Sequence, residues 1–149
     1  MFSSATINYS LDKLDLFLKK LGHPQLALKN IIHIAGTNGK GSTLTFLAAA
    51  LQEAGFRVGA FTSPHIKNYQ ERIALNGQPI SKKEFDAFER NLKKIKGFVK
   101  LTEFERLPII SVLYFKAQKP DFIIYEVGLG GRLDATNIFE PILTIITKI

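Results

Sequence analysis

Leu11, Leu14, Phe17, Leu18 and Leu21 recur three and four positions apart, which lines them along one helix face, and Gly22 with Pro24 supplies a stop. The spacing predicts a first helix over roughly residues 10–21. The pattern then changes to an apolar run, Ile31-Ile32-His33-Ile34-Ala35, followed by glycine-rich residues and a second stripe of Leu44, Leu47, Ala48 and Leu51 that ends at Gly55. A strand at 31–35 and another at 57–61 are expected on either side of that helix, and Pro64 makes the next segment a turn.

Arg72 to Leu75 and Gln78 to Ile80 flank Asn76-Gly77, the preferred pair for a tight turn, so a small hairpin is expected to decorate the main sheet. Ser81 with Glu84, and Thr102 with Glu105, form capping boxes before two further helices, the first carrying Phe85, Phe88, Leu92 and Ile95. Pro108 lies early enough in the second to be tolerated or to bend it. Asp121 to Val127 is a strand too apolar for a wet face, and Ile142 to Ile146 is another. Strands alternate with helices, so the fold class is α/β, with a parallel sheet covered on both faces. No internal repeat, low-complexity segment or linker interrupts it. The last apolar strand runs to Lys148-Ile149 without a covering helix, which reads as a fragment or first half of a longer protein.

The chain has 149 residues, 46% hydrophobic, enough for one domain with its own core. Lys and Arg total 20 against 13 acids, a formal +7 that favours anionic partners: nucleotides, polycarboxylates or nucleic acid. Lys93, Lys94, Lys96 and Lys100 gather at one helix end, where a solvated face suited to the helix dipole explains them. No nucleic-acid module is recognised, so no nucleic-acid partner is expected. The absence of cysteine excludes disulfides and thiol-based metal or redox chemistry. Met1-Phe2-Ser3-Ser4-Ala5 lacks a basic region followed by an apolar stretch, and no apolar run is long enough for a membrane helix. A cytoplasmic protein without a membrane partner is expected.

Gly36-Thr37-Asn38-Gly39-Lys40-Gly41-Ser42 stands between the strand at 31–35 and the second helix. Backbone N–H groups of such a loop and the positive end of the following helix make an anion site fit for a nucleotide triphosphate. Lys40 adds a full positive charge, and a hydroxyl of Ser42 or Thr43 would reach a magnesium ion. The match to G-x-x-x-x-G-K-[ST] is incomplete: Ile34 stands where the first glycine belongs, and Gly41 delays the hydroxyl by one position. The strand before and helix after favour phosphate binding over a mere turn.

In such sheets ligands bind at the carboxyl ends of the strands, where Thr62-Ser63-Pro64-His65 and the segment from Glu126 to Asn137 also emerge. Glu126 ends an apolar strand, so its carboxylate needs a cation, either Mg2+ or a neighbouring lysine or arginine. Ser63 taken alone reads as a turn residue. His65 either contacts phosphate or packs in its loop, and His33 reads as a core residue.

GTNGKGS at 36–42, TSPH at 62–65 followed by Glu71-Arg72-Ile73, LTEFE at 101–105 and EVGLGGRLDATN at 126–137 together resemble folylpolyglutamate synthase and dihydrofolate synthase, of the Mur ligase superfamily. The family's glycine loop has the form seen here. The resemblance implies the N-terminal part of an ATP-binding domain, without the C-terminal glutamate-ligase domain or the family's next metal ligand, a histidine. It implies an ATP-dependent ligase that joins L-glutamate to dihydropteroate or a reduced folate through an acyl phosphate, and these residues alone are expected to be inactive. By position, Gly36 to Ser42 would cradle ATP, with Lys40 and Glu126 catalytic. Ser63, Glu126 and Ser42 would hold Mg2+, and Thr102, Phe104, Glu105 and Asp134 would meet the pteroate, Asp134 at its pterin. Another Mur-type amide ligase, or a nucleotide-binding module without catalysis, are the alternatives. A monomer is the default expectation.

Overall fold

The computed structural model describes residues 11–149. The reading of residues 1–5 as carrying no leader, and the predicted helix start at residue 10, lie outside them. α1 (Asp12–Lys20) buries Leu14, Phe17 and Leu18, with acids in its first turn and lysines in its last, as the helix dipole favours. β1 (Ile31–Ala35), α2 (Lys40–Glu53) and β2 (Val58–Phe61) follow as expected. β3 (Ile73–Leu75) and β4 (Gln78–Pro79) flank Asn76 and Gly77, whose φ angles of 47° and 74° are both left-handed, as the tight turn requires.

α3 (Lys82–Lys93) and α4 (Glu103–Gln118) start on the two predicted capping boxes. Ser81 Oγ accepts from the Glu84 N–H at 3.2 Å and Thr102 Oγ1 from the Glu105 N–H at 3.3 Å. α4 continues through Pro108, whose carbonyl accepts the Ser111 hydroxyl at 2.7 Å. β5 (Phe122–Glu126) and β6 (Leu143–Ile146) follow.

The strands form one sheet in the order β4-β3-β2-β5-β1-β6. The last four in that order are parallel, while β3 and β4 run antiparallel. The hairpin therefore extends the sheet instead of decorating it, because β3 pairs directly with β2 from Gly59–Leu75 to Phe61–Ile73. Successive side chains point to opposite faces. Ile31, Phe61, Ile73, Ile123 and Tyr125 pack with α1, α3 and α4, whereas Ile32, Ile34, Val58, Ala60 and Ile124 pack with α2 through Leu44 and Ala48. Each fully buried side chain such as Phe115 or Ile110 contributes about 2 kcal/mol of transfer free energy. The three-helix face therefore supplies more of the stability than the α2 face.

β6 is the strand read from the sequence as lacking a covering helix, and none of the described helices follows it. Leu143 and Ile146 are 47% and 65% exposed because β6 is the outermost strand, bonded to β1 alone. No helix among the described residues is long and apolar enough to cross a membrane.

Candidate active site

The connections after β1, β2 and β5 all leave the carboxyl edge of the parallel strands, and there they meet. The first is the glycine loop. At Gly36 φ is 131°, and a β-carbon would collide with the Thr147 hydroxyl, so glycine is required. The N–H groups of Thr37 and Asn38 donate to the Lys148 carbonyl at 2.9 and 3.2 Å, strapping the loop to the segment after β6. Gly39, with φ at 86°, caps α2. The bond from the Thr43 N–H to the Gly39 carbonyl opens the helix, which leaves the N–H groups of Gly39, Lys40, Gly41 and Ser42 without partners inside it. Within the predicted cradle, the N–H groups of Thr37 and Asn38 are thus engaged with Lys148, and the unengaged donors start beyond them. Lys40 Nζ folds back to the Gly36 and Thr37 carbonyls at 3.0 and 3.4 Å.

Glu126 ends β5 with only 4% exposure. A β-carbon on Gly41 would lie 3.9 Å from each of its oxygens, which sets the carboxylate against the first turn of α2. Its Oε2 accepts the Ser63 N–H at 3.1 Å. The alternative of an ion pair is not realised: the ion pairs among the described residues, Lys82–Asp86 and Lys93–Glu89, both lie on α3. Burial pushes the Glu126 carboxyl above its ordinary range, opposed by the Ser63 N–H and by Lys40 and Arg72.

The connection after β2 is closed at its base by Arg72 and Thr62. Thr62 N–H donates to the Arg72 carbonyl, and Arg72 Nε returns a bond to the Thr62 carbonyl, both at 2.9 Å. Glu71 accepts the N–H groups of Ile66, Lys67 and Asn68, a third capping box that the sequence reading passed over. His65 packs its ring 4.6 Å from that of Tyr69, as one of its two predicted roles required, although its buried Nδ1 has no partner among the described residues. The Tyr69 hydroxyl donates to Glu103 at 2.6 Å and so joins this loop to the start of α4.

Arg72 also went unrecognised as an individual site residue. It is 5% exposed, stacked 5.1 Å over the Phe61 ring, and within electrostatic reach of Glu103, Asp134 and Glu126. The signal was present as a charge set directly against the apolar β3.

Asp134 organises the connection after β5. Its Oδ2 accepts the N–H groups of Gly128 and Leu129 at 3.1 and 2.8 Å, and its Oδ1 accepts the N–H and hydroxyl of Thr136 at 2.9 and 2.5 Å. Four donors fill the usual acceptor sites of a carboxylate. A β-carbon on Gly128 would lie 3.2 Å from Asp134 Oδ2 and 3.8 Å from Ser63 Oγ, so the second and third connections touch. His33, predicted as a core residue, is buried but polar-bonded: its Nε2 stands 2.9 Å from Thr136 Oγ1. Burial lowers its basicity, with Asp134 opposing.

Thr102 and Glu105 are occupied in their capping box, where Glu105 takes both the N–H and the hydroxyl of Thr102 at 2.6 and 2.8 Å. Phe104, between them, is 66% exposed. Ser42 is exposed in the first turn of α2 and Ser63 is half-buried. A buried carboxylate with no ion pair among the described residues, set against the first turn of α2, fits a hard divalent cation such as Mg2+. Among the described residues no three His, Cys, Asp or Glu side chains cluster, so hydroxyls, waters and phosphate oxygens would have to complete its shell.

The mixed six-stranded sheet, with its glycine loop entering α2 and an acid at the end of β5, is an α/β domain with the glycine-loop architecture expected from the sequence. Comparison with known proteins specifies it further. The chain is 45% identical over 146 residues to the dihydrofolate synthase/folylpolyglutamate synthase of Bacillus subtilis, a match covering 93% of this chain and 34% of the relative. It superposes with a TM-score of 0.87 and 38% identity on the bifunctional enzyme of Yersinia pestis complexed with AMPPNP and Mn ion, covering 97% of this chain and 35% of that one. Escherichia coli FolC in complex with DHPP and ADP gives a TM-score of 0.87 at 37% identity, covering 97% and 34%. No family model matches the chain. By sequence and by fold, the chain is similar to about a third of a folylpolyglutamate/dihydrofolate synthase. It spans about a third of the length of the curated relatives it matches.

Proposed function

We propose that this chain is the nucleotide-binding part of an ATP-dependent amide ligase that joins L-glutamate to a pteroate or folate carboxylate. The observation that carries the reading is the placement of Glu126, buried without an ion pair and set against the open first turn of α2. The relatives and the bound molecules named with them support it.

The acceptor carboxylate attacks the γ-phosphorus of ATP, giving an acyl phosphate and ADP. The glutamate amine then attacks the acyl carbon, phosphate leaves, and an amide remains. Neither step needs a protein nucleophile; both need positioning and charge neutralisation. The free N–H groups of Lys40, Gly41 and Ser42 would hold phosphate oxygens. Lys40, released from the loop carbonyls, would follow the charge of the transferring phosphoryl group. Glu126, Ser63 and Ser42 would hold Mg2+, which when bound supplies further neutralisation of phosphate charge. Phe104 offers an exposed ring face to a pterin beside the Thr102–Glu105 cap. Asp134 would reach the pterin only by exchanging one of its four loop bonds. We take the protein to be a cytoplasmic monomer acting on small molecules, without a nucleic-acid partner.

The test is ADP release by the intact protein given ATP, Mg2+ and glutamate, with dihydropteroate, tetrahydrofolate or no acceptor. Release that requires acceptor and glutamate, and is lost in Lys40→Ala, supports the ligase; release indifferent to both pterins removes the folate reading. The 149-residue chain alone should bind nucleotide without turnover.

A further inference from the structure

His33 lies on β1, three residues before the glycine loop, and its side chain reaches the connection after β5, which is 103 positions away in sequence. The Thr136 hydroxyl between them has a single proton, donated to Asp134 Oδ1. Toward His33 the same oxygen can only accept, so the imidazole must carry its proton on Nε2. The order of donors is therefore fixed: His33 Nε2–H to Thr136 Oγ1, Thr136 O–H to Asp134 Oδ1, and the Gly128 and Leu129 N–H groups to Asp134 Oδ2. A buried chain of this kind strengthens each of its bonds and penalises a missing member.

We infer that His33 is a positioning residue that sets the direction of the Asp134 carboxylate and, through it, the Gly128-Leu129 backbone beside Ser63. With the imidazole removed, the Thr136 hydroxyl is free to turn away from Asp134, and one of the four bonds holding the carboxylate weakens. Gly128 then loses its fixed place against Ser63 Oγ. The phosphate donors of α2 belong to another connection, and Ser63 keeps its own N–H bond to Glu126, so the disturbance should fall on the acceptor side of the reaction and spare ATP. The kinetic half of this inference rests on the ligase reading above; the structural half does not.

The proton position is read on the unsubstituted protein from the imidazole nitrogen shifts of His33, which should report hydrogen on Nε2. In His33→Leu, amide exchange at Gly128 and Leu129 should speed about tenfold, the scale of one lost buried hydrogen bond. The KM for the pterin acceptor in the intact protein should rise by a similar factor while the KM for ATP stays within about twofold. His33→Gln places an amide N–H where Nε2–H stood and should restore both readings, as should Thr136→Ser against Thr136→Val. Hydrogen on Nδ1, unchanged exchange in His33→Leu, or losses equal for ATP and acceptor would each overturn the inference. An intact protein without pterin-dependent turnover would instead remove the ligase reading, and the nitrogen shifts and amide exchange would still decide the role of His33.

Discussion

A β-carbon placed on Gly41 would stand 3.9 Å from each carboxylate oxygen of Glu126, so the buried acid and the first turn of α2 face each other at contact distance. Glu126 has a raised carboxyl, which means that the folded protein holds its proton more tightly than the unfolded chain does. Its contribution is therefore most favourable below the unfolded value of 4.5 and is lost as pH rises through the folded one. Glu126→Gln should accordingly stabilise the ligand-free protein at neutral pH, by on the order of 1 kcal/mol, with the gain vanishing near pH 4. In Mg2+ and ATP the ranking should invert, because the variant lacks the charged cation ligand. Thermal melts across pH, with and without ligand, measure both; a ligand-free variant that melts lower at neutral pH would refute the uncompensated charge.

Gly36→Ala introduces both a β-carbon against Thr147 and a side chain at a left-handed φ. Its cost should be roughly 2 kcal/mol or more. Adding Thr147→Ala removes the collision with the hydroxyl but leaves the Thr147 backbone N and C at 3.1 and 3.2 Å and the left-handed φ, so the pair should recover only part of that loss. Denaturant unfolding of the single and double variants separates the hydroxyl collision from the backbone contribution, and full recovery would leave the backbone without a role.

Lys40→Ala should leave the ligand-free fold within about 0.5 kcal/mol of the parent, because Nζ hydrogen-bonds the carbonyls of its own loop and its pull on Glu126 is shared with Arg72. Turnover in the intact protein should fall roughly a hundredfold or more, the scale for removing one charge-stabilising group. A melt and an ADP-release assay on the same preparation check the contrast.

Thr102→Ala removes the cap of α4 and should cost about 1 kcal/mol, while Thr102→Ser should retain it. If Thr102 meets the acceptor only by shaping the helix start, acceptor KM will follow stability across Ala, Ser and Asn variants. A KM change in Thr102→Ser without a change in melting would assign the side chain a direct contact.

His33 titrates with the opposite sign to Glu126. Burial lowers its folded value, so the unfolded chain takes up a proton first, and stability falls as pH drops through the ordinary 6.5 towards the lowered value. His33→Gln should flatten the melting profile in that window. An equal slope in both proteins would place its origin elsewhere.

The elements legible in sequence were those decided locally. The apolar run at 31–35, the Asn76-Gly77 turn and the Thr102–Glu105 box each depend on neighbours within a few positions, and each formed where expected. The convergence of the glycine loop, Ser63 and Glu126 was foreseeable from the rule for parallel strands together with the motif resemblance. What escaped was set by topology. The bond from His33 to Thr136 joins residues 103 apart, and periodicity cannot distinguish a buried histidine with such a partner from one without.

Besides Lys40, Arg72 is a second fixed cation near Glu126, and unlike Lys40 it is buried. Its guanidinium is enclosed, stacked over Phe61 and tied to the Thr62 carbonyl, with Glu103, Asp134 and Glu126 within electrostatic reach. A bound metal ion can exchange with solvent, but this cation is covalently part of the chain. It serves as a resident counter-ion, so the acids around it keep one permanent positive neighbour whether or not an exchangeable cation is present.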